Sequence, residues 1–317
     1  MAQDKAVGPA ALLLTATVAR RYYFDGASKS DIAVELDLSR FKVARLLDQA
    51  RASGLVRIEL DYHGELDLDL SQRLRAAYEL RHCVVVDGPE GDDELLRTSL
   101  GRGAAALLTE IVVADDTLGL VWARSLMAMR TSLTRLAPCT VVQLTGALSR
   151  ADVSESPVEL VRDVARTSGG PAYLFYAPLI VPDATTAQVM RTQPEIARAL
   201  DMANRVTKAV VGVGAWAPGL STVADAVTED ERREMHDLGV RAEVGGIQLG
   251  ADGAVITTPL TERLIGIDAR RLLAVPDVIG LVYGPAKADA VRAAVRGGLV
   301  TSLVTHGSMA RALLDRA

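Results

Sequence analysis

Aromatic side chains make up only 4% of this 317-residue chain, which also holds just two cysteines and four histidines. Each scarcity excludes something. With so few rings, Leu, Val and Ala must pack any core. Cys83 and Cys139 both lie beside valine-rich runs, which fits buried strand thiols in a reducing compartment and no disulfide framework. The histidines show no close pairing, so no metal site is expected. No apolar run reaches the roughly 18 to 20 residues that cross a bilayer. The early run AVGPAALLLTATVA has the look of a signal-peptide core. However, an acid and a base precede it, and it flows into RRYYFDG, which continues a helical pattern. A cytoplasmic protein without a membrane partner is expected.

What is present is a chain with 49% hydrophobic residues, enough for a sizeable core, and a length that suggests two domains. The net charge is −5, unevenly spread. Residues 1–60 carry nine Lys or Arg against seven Asp or Glu; the remainder carries 26 against 33. That is the sign expected of a nucleic-acid-binding head on an acidic body.

The head reads as three helices and a strand. Apolar residues recur from Leu12 to Phe24, and Gly26 ends that helix. Ser28 with Asp31 has the spacing of a capping box, and Ile32, Ala33 and Leu36 make one apolar face. After Asp37 and Leu38, Ser39 is placed to cap the next helix, with Leu38 and Val43 spaced as a hydrophobic staple. Val43, Leu46, Leu47 and Ala50 form its apolar stripe, Gly54 stops it, and Val56, Ile58 and Leu60 then alternate as a strand. This order describes a winged helix-turn-helix over residues 1–60. The opposite face of the third helix carries Phe41, Lys42, Arg45 and Gln49. Arg and Lys can bond guanine, Gln can pair with adenine, and Ser or Lys can hold phosphate. Candidate contacts to double-stranded operator DNA are therefore Ser28, Lys29, Ser39, Arg40, Phe41, Lys42, Arg45 and Gln49. Phe41 either rests against a thymine methyl or folds into the core.

From residue 61 the chain alternates short apolar runs with amphipathic stretches. The runs are CVVVD (83–87), TLGLVW (117–122), TVVQLTG (140–146), AYLFYAP (172–178), AVVGVGA (209–215), VIGLVYG (278–284) and LVTSLVTH (299–306). Continuous apolar strands between helices indicate a doubly wound α/β domain with a mainly parallel sheet over 61–317, entered through a link at 61–82. The glycine-rich segment 216–265 predicts loops and a small antiparallel addition. Ligands of such sheets sit beyond the carboxyl ends of the strands. The loops there supply candidates: Gly119, Trp122, Ala123, Arg124 and Ser125; Gln143, Thr145 and Gly146; Gly212 and Gly214; Asp252; and Lys287. Trp216 is read either as a sugar-stacking ring or as core.

The stretch LSRFKVARLLDQARASGLVRIEL resembles the DNA-binding head of the SorC family of sugar-responsive bacterial transcriptional regulators. GLVWARSL (119–126), VVQLTGAL (141–148), VVGVGAW (210–216) and the closing stretch RLIGID…MARALL (263–314) resemble motifs of that family's effector domain, in the same order. The likeness spans residues 12–315. It implies a helix-turn-helix head on a domain similar to sugar-phosphate isomerases and glucosamine-phosphate deaminases, and an operator affinity set by a sugar or sugar phosphate. Two-fold reading of DNA implies a homodimer or homotetramer. The chain departs from the family at Ala123 (more often glycine), Ser125 (threonine), Ala147 (often glycine) and His306–Gly307 (often an acidic pair). A β-carbon at Ala123 would crowd a closely held phosphate, so a free sugar or polyol stays open. The opposing reading is an isomerase or deaminase with an accessory head, for which Asp225, Asp252, Lys287 and His306 are candidate acids and bases. None has a spacing that demands catalysis. No catalytic residue and no cofactor are assigned.

Overall fold

The computed structural model describes residues 8–57, 66–88, 92–148 and 156–315. The chain divides into two compact units, residues 1–63 and 64–317.

The smaller unit contains helices α1 (Pro9–Tyr23), α2 (Lys29–Glu35) and α3 (Arg40–Ala52). Its caps follow the sequence. The Ser28 Oγ accepts from the Asp31 N–H and the Asp31 carboxylate accepts from the Ser28 N–H, both at 3.2 Å. Ser39 Oγ accepts from the Lys42 N–H at 3.1 Å. Between α2 and α3 the turn is tight enough that Asp37 takes φ +51°, a conformation a short polar side chain tolerates. The core is Val18, Ala19, Ile32, Ala33, Val43, Leu46, Leu47 and Ala50, with Leu38 packed against it as the staple requires. Burying each of its larger aliphatic side chains is worth about 1.5–3 kcal/mol. Val18 and Ala19, at the end of the early apolar run, belong to this core, whereas Leu12 and Leu13 of the same run are exposed. Of the expected strand Val56, Ile58 and Leu60, Val56 lies in a bend packed against this core, and Ile58 and Leu60 lie outside the described residues.

The larger unit opens with α4 (Leu68–Ala77), inside the expected link; its Leu70 and Leu74 are buried in the unit's core. Then come β1 (Cys83–Val86), α5 (Asp93–Ile111), β2 (Thr117–Leu120), α6 (Arg124–Ser132), β3 (Thr140–Gln143), β4 (Ala172–Tyr173) and β5 (Lys208–Val211). Strands β6 (Gly214–Ala215), β7 (Ala242–Val244) and β8 (Ile247–Leu249) follow, and β9 (Asp277–Leu281) and β10 (Ser302–His306) complete the set. Seven strands form one sheet in the order β1-β10-β9-β5-β2-β3-β4, with every pairing parallel. Both faces are covered, and alternate strand residues enter opposite cores: Ala209 and Val211 one, Val210 with Leu118 and Leu120 the other. This is why the strands read as unbroken apolar runs. The antiparallel addition is β6-β7-β8.

Two strands differ from expectation. AVVGVGA splits: β5 ends at Val211, and Gly214–Ala215 pair with β7 in the small sheet. AYLFYAP forms ladder pairs at Ala172 and Tyr173, leaves the ladder, and pairs again only through a single parallel bridge of Pro178 with Ala147. At Phe175 the Gln143 side chain replaces the ladder, its Oε1 accepting the Phe175 N–H at 3.2 Å.

Candidate functional site

On α3 the four buried residues occupy one stripe, and Phe41, Arg45 and Gln49 recur at i, i+4 and i+8 on the other. All three are exposed, Phe41 at 89%. Phe41 therefore lies outside the core, a position that costs hydration free energy in the isolated head. Ser28, Ser39 and Arg40 are also exposed, and Lys29 and Lys42 half-buried. Lys29 Nζ sits 5.7 Å from the Tyr22 ring centroid, and Lys29 and Arg40 share a shallow surface notch with Ser28 and Tyr22. The eight head residues singled out by sequence thus lie on the two capped helices or at their caps.

In the body, the order of strands reverses between β2 and β5. The chain leaves β2 toward β3 and β4 on one side, and leaves β5 toward β9 and β10 on the other. Diverging connections open a crevice beyond the carboxyl ends of such neighbours. A cavity of about 240 Å³ lies there. Its lining comes from the exits of four strands: Trp122 to Ser125 after β2, Thr145 and Gly146 after β3, Gly212 to Gly214 after β5, and Val282 to Gly284 after β9. Lys287 lines it from the turn that follows Gly284.

Nine of the twelve body candidates line this cavity: Trp122, Ala123, Arg124, Ser125, Thr145, Gly146, Gly212, Gly214 and Lys287. The structure places the other three elsewhere. Gly119 lies in mid-strand, where a β-carbon would meet Leu144 Cδ1 at 2.6 Å; it is a packing glycine. Gln143 is fully buried and spends its amide on the Thr145 carbonyl and the Phe175 N–H. Asp252 shapes a turn, its Oδ1 accepting the Ala254 N–H at 3.0 Å. Trp216 is core: its ring packs with Leu179, Val223 and Met235, and its Nε1 donates to the Arg232 carbonyl at 3.0 Å. Of the acid–base candidates, Asp225 lines the cavity with Lys287, whereas His306 is buried and structural, its Nε2 accepting the Gly284 N–H at 3.0 Å.

The methyl of Ala123 is turned onto Gly212, where a β-carbon would come within 2.7 Å of it. Alanine at one position thus requires glycine at the other. Ser125 donates its hydroxyl to the Leu281 carbonyl at 2.9 Å, tying α6 to the end of β9. Trp122 is buried, and its Nε1 has no hydrogen-bond partner among the described residues.

Sequence reasoning missed Glu243, Arg97 and Tyr283. Glu243 lines the cavity from β7 yet is buried, its Oε1 accepting from Ser221 Oγ and its Oε2 from the Gly246 N–H, each at 2.9 Å. Burial pushes this carboxyl above its ordinary range, against the pull of those hydrogen bonds and of the Lys287 charge. A lone acid between Ala242 and Val244, just before Gly245–Gly246, was its signal. Arg97, from α5, also reaches the cavity, as does Tyr283. The lining therefore carries three cations, Arg97, Arg124 and Lys287, and two carboxyl groups, Asp225 and Glu243. Such a mixture suits a ligand with one anionic group and several hydroxyls. Among the described residues no cluster of His, Cys, Asp or Glu could hold a metal ion, and no helix is long and apolar enough to cross a membrane.

Comparison with known proteins agrees with this geometry. The family model described as "Putative sugar-binding domain" matches residues 62–315. The transcriptional regulator YjhU of Escherichia coli is 28% identical over 302 residues, 92% of each chain. The erythritol catabolism regulatory protein EryD of Brucella abortus is 28% identical over 301 residues, 93% of this chain and 94% of its own. The full-length sorbitol operon regulator SorC of Klebsiella pneumoniae superposes with a TM-score of 0.74 at 20% identity, covering 97% of this chain and all of that one. The match across the whole body, with regulators as its full-length relatives, identifies the chain as a member of the SorC family of sugar-binding transcriptional regulators.

Proposed function

We propose that the chain binds operator DNA through its head and that a sugar or polyol, phosphorylated at one end, sets the strength of that binding from the body's cavity. The observation that carries this reading is the pairing of two features. One is a helix whose exposed stripe holds Phe41, Arg45 and Gln49 beside the cations Arg40 and Lys42. The other is a family-defining sugar-binding domain whose cavity mixes cations with hydroxyl-reading groups. Arg45 and Gln49 read base edges, Phe41 covers a thymine methyl, and Ser28, Lys29, Ser39, Arg40 and Lys42 hold phosphates. In the cavity Lys287 and Arg124, with the start of α6, take the ligand's anionic group, and Ser221, Asp225 and Glu243 face its hydroxyls. The ligand acts by preferring one conformation of the protein, since equal affinity for two conformations shifts nothing. Reading two half-sites makes the working form a homodimer or homotetramer acting in the cytoplasm.

Fluorescence anisotropy with the DNA upstream of the chain's own gene tests the proposal. Affinity should fall by about three orders of magnitude or more between 50 and 200 mM salt, as phosphate-dominated binding does. A panel of sugar phosphates should contain at least one that changes affinity by about fivefold or more. Flat salt dependence, or DNA affinity indifferent to every sugar and sugar phosphate, overturns it.

A further inference from the structure

Resting on the reading of the cavity as the effector site, we propose that the indole N–H of Trp122 is held for a ligand oxygen, and that pairing it drives the change of conformation on binding. The chain has two tryptophans, and they differ. Both are buried, Trp122 at 7% exposure and Trp216 at 5%. Trp216 is an ordinary core ring: it packs among Leu179, Val223 and Met235 and donates its Nε1 to the Arg232 carbonyl at 3.0 Å. Trp122 shares neither property. Among the described residues it belongs to none of the apolar clusters that build the body, and its Nε1 is buried without a hydrogen-bond partner. An indole N–H can only donate, so this group is satisfied only by an oxygen that comes to it. A buried donor left unpaired carries the full cost of its desolvation, which is why native interiors rarely keep one.

The surroundings point to the cavity as the source of that oxygen. Trp122 lines it, between the end of β2 and Ala123, the residue that precedes α6. Its backbone is fixed on both sides. The Val121 N–H donates to the Val210 carbonyl at 3.0 Å, and the Trp122 N–H donates to Thr145 Oγ1 at 3.4 Å. The serine hydroxyls of the same lining are already engaged, Ser125 with the Leu281 carbonyl and Ser221 with the Glu243 carboxyl, each at 2.9 Å. Trp122 therefore offers a neutral donor that the protein itself does not use, matched to a hydroxyl or carbonyl oxygen of a sugar or polyol. Because Nε1 is closed off from the surface, the ring must turn, or its neighbours part, before an oxygen reaches it. The bound conformation thus pairs a donor that the present one leaves unpaired. That difference supplies the unequal affinity without which a ligand shifts no equilibrium.

The test separates the donor from the ring. In the full chain, Trp122 is replaced by 3-benzothienylalanine, which keeps the outline of the side chain and carries sulfur in place of the N–H. Without added ligand this variant should resist urea better than the parent, with an unfolding constant lower by about fivefold or more. The same replacement at Trp216 should raise that constant, because it abandons the Arg232 carbonyl. With D-ribose 5-phosphate and D-glucose 6-phosphate as probes, the Trp122 variant should bind more weakly by about fivefold or more. In the parent, labelled with isotopic tryptophan, the bound probe should move the Trp122 indole proton downfield and leave that of Trp216 in place; this measurement decides the matter should the variant misfold. An N–H that serves only the fold would move stability and affinity in the same direction, whereas a donor kept for the ligand moves them oppositely. A Trp122 variant less stable than the parent overturns the inference and leaves the effector site standing. So does a probe that binds parent and variant within about twofold with the Trp122 signal unmoved. Failure of both probes, and of every other sugar and sugar phosphate, to bind the parent removes the effector site and this inference together.

Discussion

The head and the body of this protein solve opposite problems with polar side chains. The head keeps a small apolar core and turns Phe41 and most of its polar candidates outward, on the surfaces of two helices and their caps. The body buries polar groups between layers, as with Glu243 under Ser221 and Gly246, and so its chemistry is assembled across hundreds of residues. A surface that reads a polyanion needs charge in water, where single contacts are weak and their number decides affinity. A cavity that distinguishes one small molecule from another needs few groups, each desolvated and fixed. The comparison predicts that single substitutions will cost more in the body than in the head.

The largest effect is expected at Asp116, below the sheet and away from the cavity. Its carboxylate accepts from Lys208 Nζ at 2.7 Å, Thr207 Oγ1 at 2.6 Å and the Val113 N–H at 2.8 Å. Burial alone would raise its pKa, but these bonds and the lysine charge outweigh burial and hold it below the ordinary carboxylate value. A depressed folded value stabilises the protein at pH above the unfolded pKa of about 3.9, and that stability is lost as pH falls through the lower folded value. Asp116→Ala should cost about 3 kcal/mol at neutral pH, because Lys208 is left largely buried without its partner. It should also remove this group's share of the acid sensitivity. Urea unfolding at pH 7 and at steps from about pH 5 down to about pH 2 measures both, and a loss below about 1 kcal/mol at pH 7 would make the pair no better than a surface ion pair.

Arg45→Ala comes next and acts on function alone. The side chain projects from the exposed stripe of α3 and touches no core residue's stripe. Operator binding should weaken by about 1–3 kcal/mol with relaxed preference at the base it reads. Phosphate titration of the body and the melting temperature should stay as in the parent. Equal loss on operator and unrelated DNA would reassign Arg45 from base reading to phosphate contact, and no loss at all would remove it from the interface.

The same contrast explains what was legible in the sequence. The head's helices, caps and exposed stripe follow from local spacing: Ser28 with Asp31, Ser39 with Lys42, and the stripe opposite Val43, Leu46, Leu47 and Ala50. The sheet of the body was equally open to reading, because strands covered on both faces must be apolar throughout. The cavity was half legible. Loops such as Trp122–Ser125 and Gly212–Gly214 announce themselves by small residues after a strand. Which of them meet depends on strand order, and the order β9-β5-β2-β3 leaves no mark on any single segment. Gln143 and Asp252 looked like ligand groups because a polar residue at a strand end or turn serves the backbone as readily as a sugar. Arg97 was invisible for a further reason: its position depends on Gly101 meeting Ala128, a contact between two helices that no periodicity encodes.

Ser39→Ala carries the smallest expected effect and sharpens the contrast most directly. Ser39 is both the cap of α3 and one of the residues at the proposed DNA face. Losing the cap frees the Lys42 N–H and should cost the head about 1 kcal/mol. Because the two units are compact on their own, that cost should appear in the head's hydrogen exchange and not in the body's. If Ser39 only caps, Ser39→Asp should restore head stability, since aspartate caps equally well, and should restore DNA affinity apart from the repulsion of one added negative charge. If Ser39 also donates to a DNA phosphate, the neutral cap Ser39→Asn should restore stability while DNA affinity stays below that of the parent. The two substitutions together therefore separate what the serine does for the helix from what it does for the duplex.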